Sequence, residues 1–333
     1  MKTKQGEIKV EPIKQQIKLS PTDQKIVQEL LFDSRIPASN LGKLVHLSPA
    51  STINHIENLI KKGVINQFIT IPNTIKANYK LWFVFLDIPI EQEEVCIKHL
   101  INYPHTLSIM KITGKYNLLV GFSGEKISDL DKGLSIISKN TKTKDFLVFP
   151  VKEMAFKPYE LFERSKKLKS IIKKPSKNKI TLTESDKLLL RELSHNAREN
   201  IVNISHKIKI PAETIVYRLK KLKENGIIER FFTNINIFSF GFQGYVLTIK
   251  ILNKEVQSEI FNFIKNHPRT NGQYLLRESS WNVLTILIVK DTVELKLFID
   301  ELQKRFGKDI ISYETTQILS QEFYDPFPKG LLE

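Results

Sequence analysis

The chain has almost no cysteine and no long apolar run, and these absences exclude several classes of protein. Its 333 residues include one cysteine, Cys96, which excludes an internal disulfide framework and fits a reducing cytoplasm. No apolar stretch approaches the ~20 residues needed to span a bilayer. The first residues, MKTKQGEIKVEPIKQQIK, lack the apolar segment of a signal peptide. We therefore expect a cytoplasmic protein with no membrane partner.

Sequence motifs of catalysis are also missing. The chain contains no Gly-rich phosphate loop, no HExxH, no paired CxxC and no G-x-S-x-G. Its seven histidines are scattered, as is typical of surface residues and core filler. We therefore predict no catalytic residues, no metal site and no cofactor.

Positive charge, in contrast, is in excess. The chain has 51 lysine and arginine residues against 36 acidic ones, a formal net charge of +15. Such an excess attracts polyanions because binding releases their counterions. Nucleic acid is therefore the first candidate partner, and an anionic membrane surface is the weaker one.

An internal repeat determines the predicted organisation. Residues 19–68 and 182–231 align without a gap at a constant offset of 163, and ten positions are identical. Most other positions keep their apolar or polar character, so the two copies should share one fold. A period of this length is far too long for a solenoid. The chain is therefore predicted to be two complete modules in tandem.

Each copy of the repeat begins with a helix-start pattern. In residues 20–23, SPTD, the serine can cap a helix, the proline suits its first position, and the aspartate faces the free amides. Residues 183–186, TESD, repeat the pattern. Two further helices follow in each copy, and then Gly63 or Gly226 precedes a β-prone stretch. This order predicts a helix-turn-helix with a wing.

The third helix of each copy is predicted to offer its outer face to the major groove. Apolar spacing puts Ile53, Ile56 and Leu59 or Ile60 on the inner face of the first copy. The matching inner residues of the second copy are Val216, Leu219 and Leu222. The candidate DNA-binding residues are Ser51, Asn54, His55, Asn58, Lys62, Thr214, Tyr217, Arg218 and Lys221.

Of the two copies, the second is predicted to be the better DNA reader. Arg218 could pair with guanine, and Lys221 could hold a phosphate or a base edge. The first copy is amide-rich and weakly charged, so it would bind loosely or read adenine through Asn54 or Asn58. Two other interpretations stay open: these residues are solvated helix faces, or the winged helices dock onto proteins.

After each winged helix the sequence alternates strands and helices in the order β-α-β-β-α-β, which is typical of a ferredoxin-like domain. The predicted fold class is therefore α+β. Apolar residues on both faces of the stretch 82–86, WFVFL, indicate that one face is covered by helices and the other by a second sheet. The predicted strands are 81–90, 106–113, 116–122, 145–154, 245–252, 272–279, 281–289 and 310–319, with helices near 92–102, 126–139, 254–266 and 292–306.

Within this arrangement the sequence contains five short motifs, LSPTD at 19–23, DSR at 33–35, LSPAST at 47–52, KGVI at 62–65 and TGKYN at 113–117. With these motifs the chain resembles the leucine-responsive regulator (Lrp/AsnC) family over about residues 19–160 and 182–322. The resemblance implies a transcription regulator whose DNA-binding winged helix is joined to an effector-sensing domain. It further implies dimerisation through that domain and amino-acid ligands between paired domains.

The last of these motifs is similar to the family's Gly-x-Tyr-Asp turn, and the resemblance implies an effector site there. Asn117 stands where the family usually has aspartate, and the second module has ESSWN at 278–282, without a glycine. A degenerate second site is therefore predicted, although Gly114 could simply serve a hairpin turn. The candidate effector-binding residues are Thr113, Gly114, Lys115, Tyr116 and Asn117.

Ordinary members of the family hold one module per chain, whereas this chain holds two. Its linker of about 20 residues could extend over ~60 Å, so the two modules can reach each other. We predict an intrachain pseudo-dimer, whose remaining strand edges could join chains into a homo-dimer or a larger assembly. The predicted segments are a disordered arm (1–18), winged helix 1 (19–72), αβ domain 1 (78–158), a basic linker (159–180), winged helix 2 (181–236), αβ domain 2 (240–322) and a tail (323–333).

The sequence thus favours a sequence-specific transcription regulator that is not an enzyme and whose partners are double-stranded DNA and an amino-acid-like effector. An effector-independent DNA-bridging chromatin protein is one alternative, and it would bind DNA tightly without sequence preference. A sirohaem-decarboxylase-like enzyme is the other, because those enzymes resemble this fold. Near the position of their propionate site lie His267, Arg269, Tyr274 and Arg277.

Overall fold

The computed structural model describes residues 10, 16–162, 180–277 and 279–333. Its elements occur twice in the same order. The first module contains α1 (Pro21–Phe32), α2 (Ala38–Val45), α3 (Pro49–Lys61), β1 (Ile65–Pro72), β2 (Lys80–Asp87), α4 (Glu93–Ile101), β3 (Thr106–Ile112), β4 (Leu118–Gly124), α5 (Ile127–Asn140) and β5 (Asp145–Ala155). The second contains α6 (Glu184–His195), α7 (Ile201–Ile208), α8 (Ala212–Glu224), β6 (Ile228–Ile235), β7 (Gln243–Ile251), α9 (Gln257–Asn266), β8 (Thr270–Leu276), β9 (Val283–Val289), α10 (Thr292–Phe306) and β10 (Ile310–Tyr324).

Each module begins with a three-helix head and its wing strand: α1–α3 and β1 form head one, and α6–α8 and β6 form head two. The predicted helix starts are confirmed. The Ser20 hydroxyl accepts a hydrogen bond from the Asp23 amide at 3.1 Å. Thr183 and Asp186 cap each other reciprocally, so both heads use the same device.

The αβ domains have the predicted β-α-β-β-α-β order, with strands arranged β3-β4-β2-β5 in the first and β8-β9-β7-β10 in the second. The two sheets join within the chain because β3 pairs with β10 and β5 pairs with β8, both antiparallel. The result is a closed barrel of eight strands. Closure leaves each sheet with one face toward its own helices and one toward the barrel interior.

The residues of β2 show why the sheets associate. Trp82, Val84 and Leu86 pack under the outer helices, whereas Phe83 and Phe85 pack in the barrel interior. Because successive side chains of a strand alternate between faces, a strand that is apolar on both faces needs cover on both. The prediction made from residues 82–86 is confirmed.

Both terminal segments differ from their predictions, which were a disordered arm at 1–18 and a tail at 323–333. Within the arm, Val10 is buried and forms a bridge with Gln321 of β10. At the other end, β10 runs to Tyr324, and Phe327 and Leu331 are buried in the core of head two. The rest of the arm up to residue 15, and residues 163–179 of the basic linker, lie outside the described residues. Within the described ranges, no helix is long and apolar enough to cross a membrane.

Candidate DNA-reading heads and effector pocket

Helix α3 is rotated by a fraction of one residue step from its predicted orientation, since Ile56 and Leu59 are inward as predicted. Thr52, Ile56 and Leu59 form its buried face, whereas Ile53 and Ile60 are 46% and 44% exposed. Thr52 can occupy the core because its hydroxyl donates to the Ser48 carbonyl at 2.9 Å. The predicted inner positions of Ile53 and Ile60 are therefore wrong.

Helix α8 shows the same rotation. Ile215 and Leu222 are buried, and Val216, predicted to be inward, is 55% exposed. Leu219 is half-buried. Helices α3 and α8, the third helix of each head, are the candidate DNA-recognition helices. Both present an exposed apolar residue at the same position, since Ile53 and Val216 are related by the repeat offset of 163.

Of the candidates in head one, Asn54 and Asn58 are exposed on α3, and Lys62 is exposed just after the end of this helix. Ser51 is half-buried in the first turn, where its amide donates to the Ser48 hydroxyl at 3.2 Å. His55 turns toward α1, and its Nδ1 lies 2.7 Å from Asp23 Oδ1. His55 is thus a contact between helices as well as a candidate.

In head two, Tyr217 and Lys221 are exposed and Thr214 is half-buried. Arg218 donates to the Thr183 hydroxyl at 2.7 Å and to Asp186 Oδ1 at 3.1 Å. Arg218 is the repeat equivalent of His55. In both heads this position therefore contacts the aspartate in the first turn of the first helix, Asp23 or Asp186. The structure gives Arg218 an intramodular partner, so pairing with guanine stays a prediction in which DNA would compete with Thr183 and Asp186 for this side chain.

The two heads are joined through their wings. β1 pairs with β6 antiparallel, from Ile65 opposite Ile235 to Pro72 opposite Ile228. Two arginines cross this junction reciprocally. The Arg35 guanidinium donates to the carbonyls of residues 197 and 199, and that of Arg198 donates to the carbonyls of residues 34 and 36.

The crossing arginines explain part of the repeat identity. Arg35 lies over the Phe231 ring at 5.4 Å, and Arg198 lies over the Phe68 ring at 5.3 Å. Arginine and phenylalanine are identical in the two copies at these positions. Each copy needs both residues, because the arginine of one head packs on the phenylalanine of the other. Burial lowers the pKa of both guanidinium groups. These pairs are among the ten identical positions of the repeat, and their role is visible only in the fold.

The turn at 113–117 lies at one end of the barrel, beside a cavity of about 260 Å³ that both modules line. Four aromatic residues and two oppositely charged ones, Lys115 and Glu314, line this cavity. Trp281, from the turn predicted to be degenerate, is one of those aromatic residues, and Glu278 of that turn lies outside the described residues. The lining residues are Phe85, Ile112, Thr113, Lys115, Tyr116, Leu147, Phe149, Thr248, Trp281, Glu314 and Thr316.

Charged and polar contacts hold the turn in place. Lys115 Nζ lies 2.6 Å from Asp145 Oδ2, and the Tyr116 hydroxyl donates to the same carboxylate at 3.1 Å. The hydrogen bond with Lys115 lowers the pKa of Asp145, and the same bond raises the pKa of Lys115. Thr113 belongs to the seam between modules, because its hydroxyl accepts from the Gln317 amide at 3.1 Å.

Asn117 has a structural position rather than a place in the cavity lining. Its Oδ1 accepts from the Ile88 amide and its Nδ2 donates to the Ile88 carbonyl, both at 2.9 Å. Asn282 makes the equivalent bond to the Ile251 amide at 2.6 Å. Gly114 has φ +102°, and nothing lies within 4 Å of a Cβ built there. Glycine is therefore favoured at position 114 by the positive φ, and not by a lack of space for a side chain.

The four residues of the sirohaem-decarboxylase alternative do not converge on one pocket. His267 and Arg269 pair with acidic side chains of α10 at 3.7 Å and 2.7 Å, outside the barrel. Tyr274 packs inside the barrel, with its ring 4.6 Å from that of Phe83. Arg277 is exposed, and its amide donates to the Pro150 carbonyl in the middle of β5.

Comparison with known proteins matches both heads. A family model for winged helix-turn-helix DNA-binding domains matches residues 19–66 and 182–229. An uncharacterized HTH-type transcriptional regulator of Pyrococcus furiosus is 56% identical over 50 residues, 15% of this chain and 33% of that protein. The chain thus spans about a third of the length of that relative. Transcriptional regulator AzlB of Bacillus subtilis is 30% identical over 147 residues, 43% of this chain and 92% of AzlB.

Among solved structures, that of the siroheme decarboxylase NirDL resembles the whole chain. Its TM-score is 0.59 at 14% identity, covering 93% of this chain and 96% of that one. Likeness at such identity concerns the fold alone. The duplicated winged helix, the paired ferredoxin-like domains and the extent of the AzlB match lead to one assignment. The chain belongs to the Lrp/AsnC family of winged helix-turn-helix transcriptional regulators, and it carries two modules of that family in tandem.

Proposed function

We propose that the protein is a sequence-specific DNA-binding transcription regulator that presents two unequal heads from one chain. The observation that carries this proposal is the β1–β6 pairing, which holds the two recognition helices in a fixed relation. Linked helices of this kind contact two half-sites of one operator at once. Lys220 and Lys221, exposed beside Tyr217 on α8, supply cations where DNA phosphates would lie.

Charge supports the same partner. Residues 164–179 contain eight basic residues and no acid, and residues 1–18 contain five lysines and two glutamates. Together these segments contribute 8 + 3 = 11 of the net +15. Most of the excess therefore lies in the linker and the arm, so we expect it to strengthen binding to all sequences rather than to select one.

Affinity for duplex DNA should fall by about tenfold or more between 50 and 200 mM salt if several phosphates are contacted. Replacing Lys220 and Lys221 together by alanine should reduce the slope of log affinity against log salt by about two. The matched control is Lys132→Ala on α5, which removes an equally exposed cation outside the heads. Fluorescence anisotropy at several salt concentrations measures both the affinity and its salt dependence for each protein. Salt-independent binding, or no binding at low salt, contradicts the proposal.

We propose further that the cavity beside the 113–117 turn binds a zwitterionic amino acid with a large apolar side chain. Phe85, Tyr116, Phe149 and Trp281 would enclose the side chain, and Lys115 with Glu314 would face the carboxylate and the ammonium group. Because both modules line the cavity, a bound ligand would stabilise their pairing. Through Trp281, the glycine-free turn at 278–282 would thus contribute to a single site that the two modules share.

Thermal unfolding in the presence of each of the common amino acids tests this site. A ligand at about 100 times its Kd adds about 2.7 kcal/mol to the free energy of unfolding. Trp281→Ala should abolish that stabilisation, and Gly114→Val should reduce it by straining the turn. Tyr217→Ala, which removes an exposed aromatic side chain from α8, is the control. Ligand stabilisation that survives Trp281→Ala would exclude this cavity.

A further inference from the structure

Both recognition helices expose a β-branched apolar residue at the same repeat position. Ile53 on α3 is 46% exposed and Val216 on α8 is 55% exposed. Within the described residues, neither is a member of a buried apolar cluster. The two heads differ at most other outward positions, so this shared apolar character is not explained by packing.

The surroundings of these residues indicate what they meet. Ile53 lies beside Asn54, and Val216 lies beside Tyr217, on the solvent-exposed flank of each helix between its buried face and its outer face. Both residues are the fifth of their helices, within the N-terminal part that reaches base edges when such a helix enters the major groove. The only apolar group that B-DNA displays in that groove is the C5-methyl of thymine.

We infer that Ile53 and Val216 read thymine methyl groups, one in each half of a two-part operator. This inference rests on the proposed DNA-binding function and specifies its readout. The neighbouring Asn54 and Tyr217 would supply different polar contacts, so the two half-sites would share a thymine at one position and differ beside it. The shared thymine follows from the repeat, and the difference follows from the divergence of the two helix faces.

The test compares thymine with deoxyuridine, which lacks the methyl group and keeps every hydrogen-bonding atom. The full-length protein first selects its preferred duplex from a random pool, and each thymine of that duplex is then replaced by deoxyuridine. Burying one methyl group contributes about 0.8 kcal/mol, or about a fourfold change in affinity. Loss of both methyl contacts should weaken wild-type binding by about 15-fold.

The variant Ile53→Ala/Val216→Ala should bind the thymine duplex less tightly and should no longer distinguish it from the deoxyuridine duplex. Ile127→Ala/Val293→Ala removes two similarly exposed β-branched side chains from the outer helices α5 and α10, and it should discriminate as the wild type does. Thermal unfolding verifies that both variants fold.

The outcomes separate the inference from the function on which it rests. If the protein binds no DNA, the proposed function fails. If it binds DNA but treats thymine and deoxyuridine alike, or if the Ile53/Val216 variant keeps full discrimination, the inference fails and the function stands.

Discussion

Phe327→Ala should lower the free energy of unfolding by about 3–5 kcal/mol, as truncation of a fully buried phenylalanine does. The Phe327 side chain has no exposed area, and it packs in the core of head two against the edge of Tyr79, with ring centroids 6.1 Å apart. Arg191 of α6 fixes the same segment, since its guanidinium lies 2.6 Å from Asp325. The segment after β10 is thus part of head two and links it to the αβ domain of the first module.

Equilibrium unfolding in urea measures this effect, with the change expected in the midpoint and not in the slope. Phe146→Ala is the control, because the same side chain on β5 is 50% exposed and its loss should change stability by no more than about 0.5 kcal/mol. Equal effects of the two substitutions would show that the segment after Tyr324 does not hold head two in solution.

Much of the architecture was predictable because the sequence repeats and its strands alternate. The ten identities at one offset predicted two copies of a head, and the apolar faces of the stretch 82–86 predicted the pairing of two sheets. These are local patterns, each written within a few residues of the element it determines. The tail could not be recognised in this way, because Phe327 is followed by Pro328 and Gly330, which are typical of a loop.

The candidate site was predictable in position but not in detail. The rotation of α3 was missed because Thr52 counts as polar in an apolar pattern, and only its bond to the Ser48 carbonyl allows it into the core. The role of Arg218 was missed because Asp186 is 32 residues away in sequence and near only in the fold. Likewise, Trp281 and Tyr116 line one cavity only because the two modules close a barrel.

Cutting the chain within residues 163–179 should leave its two halves bound to each other. A protease site inserted near Pro175, outside the described residues, makes the cut possible in the full-length protein. The halves share three strand pairings, β1 with β6, β3 with β10 and β5 with β8, and the two crossing arginines. The linker holds them at an effective concentration of ~1 mM. After the cut, the halves separate only when the protein is diluted below their dissociation constant.

Native mass spectrometry of the cut protein distinguishes the two possible assemblies, because the unequal halves give either a mixed pair or two different homodimers. We expect the mixed pair, since contacts that the repeat does not duplicate join the two halves, such as the hydrogen bond from the Tyr79 hydroxyl to the Leu331 carbonyl. Arg35→Ala combined with Arg198→Ala should weaken that pair by at least about tenfold, because a hydrogen bond to a charged group contributes about 1.5–3 kcal/mol. Clean separation into homodimers would mean that each module pairs with its own copy in another chain. The heads would then read DNA as two identical pairs, and a single chain would not carry the two unequal half-site readers that the proposed function requires.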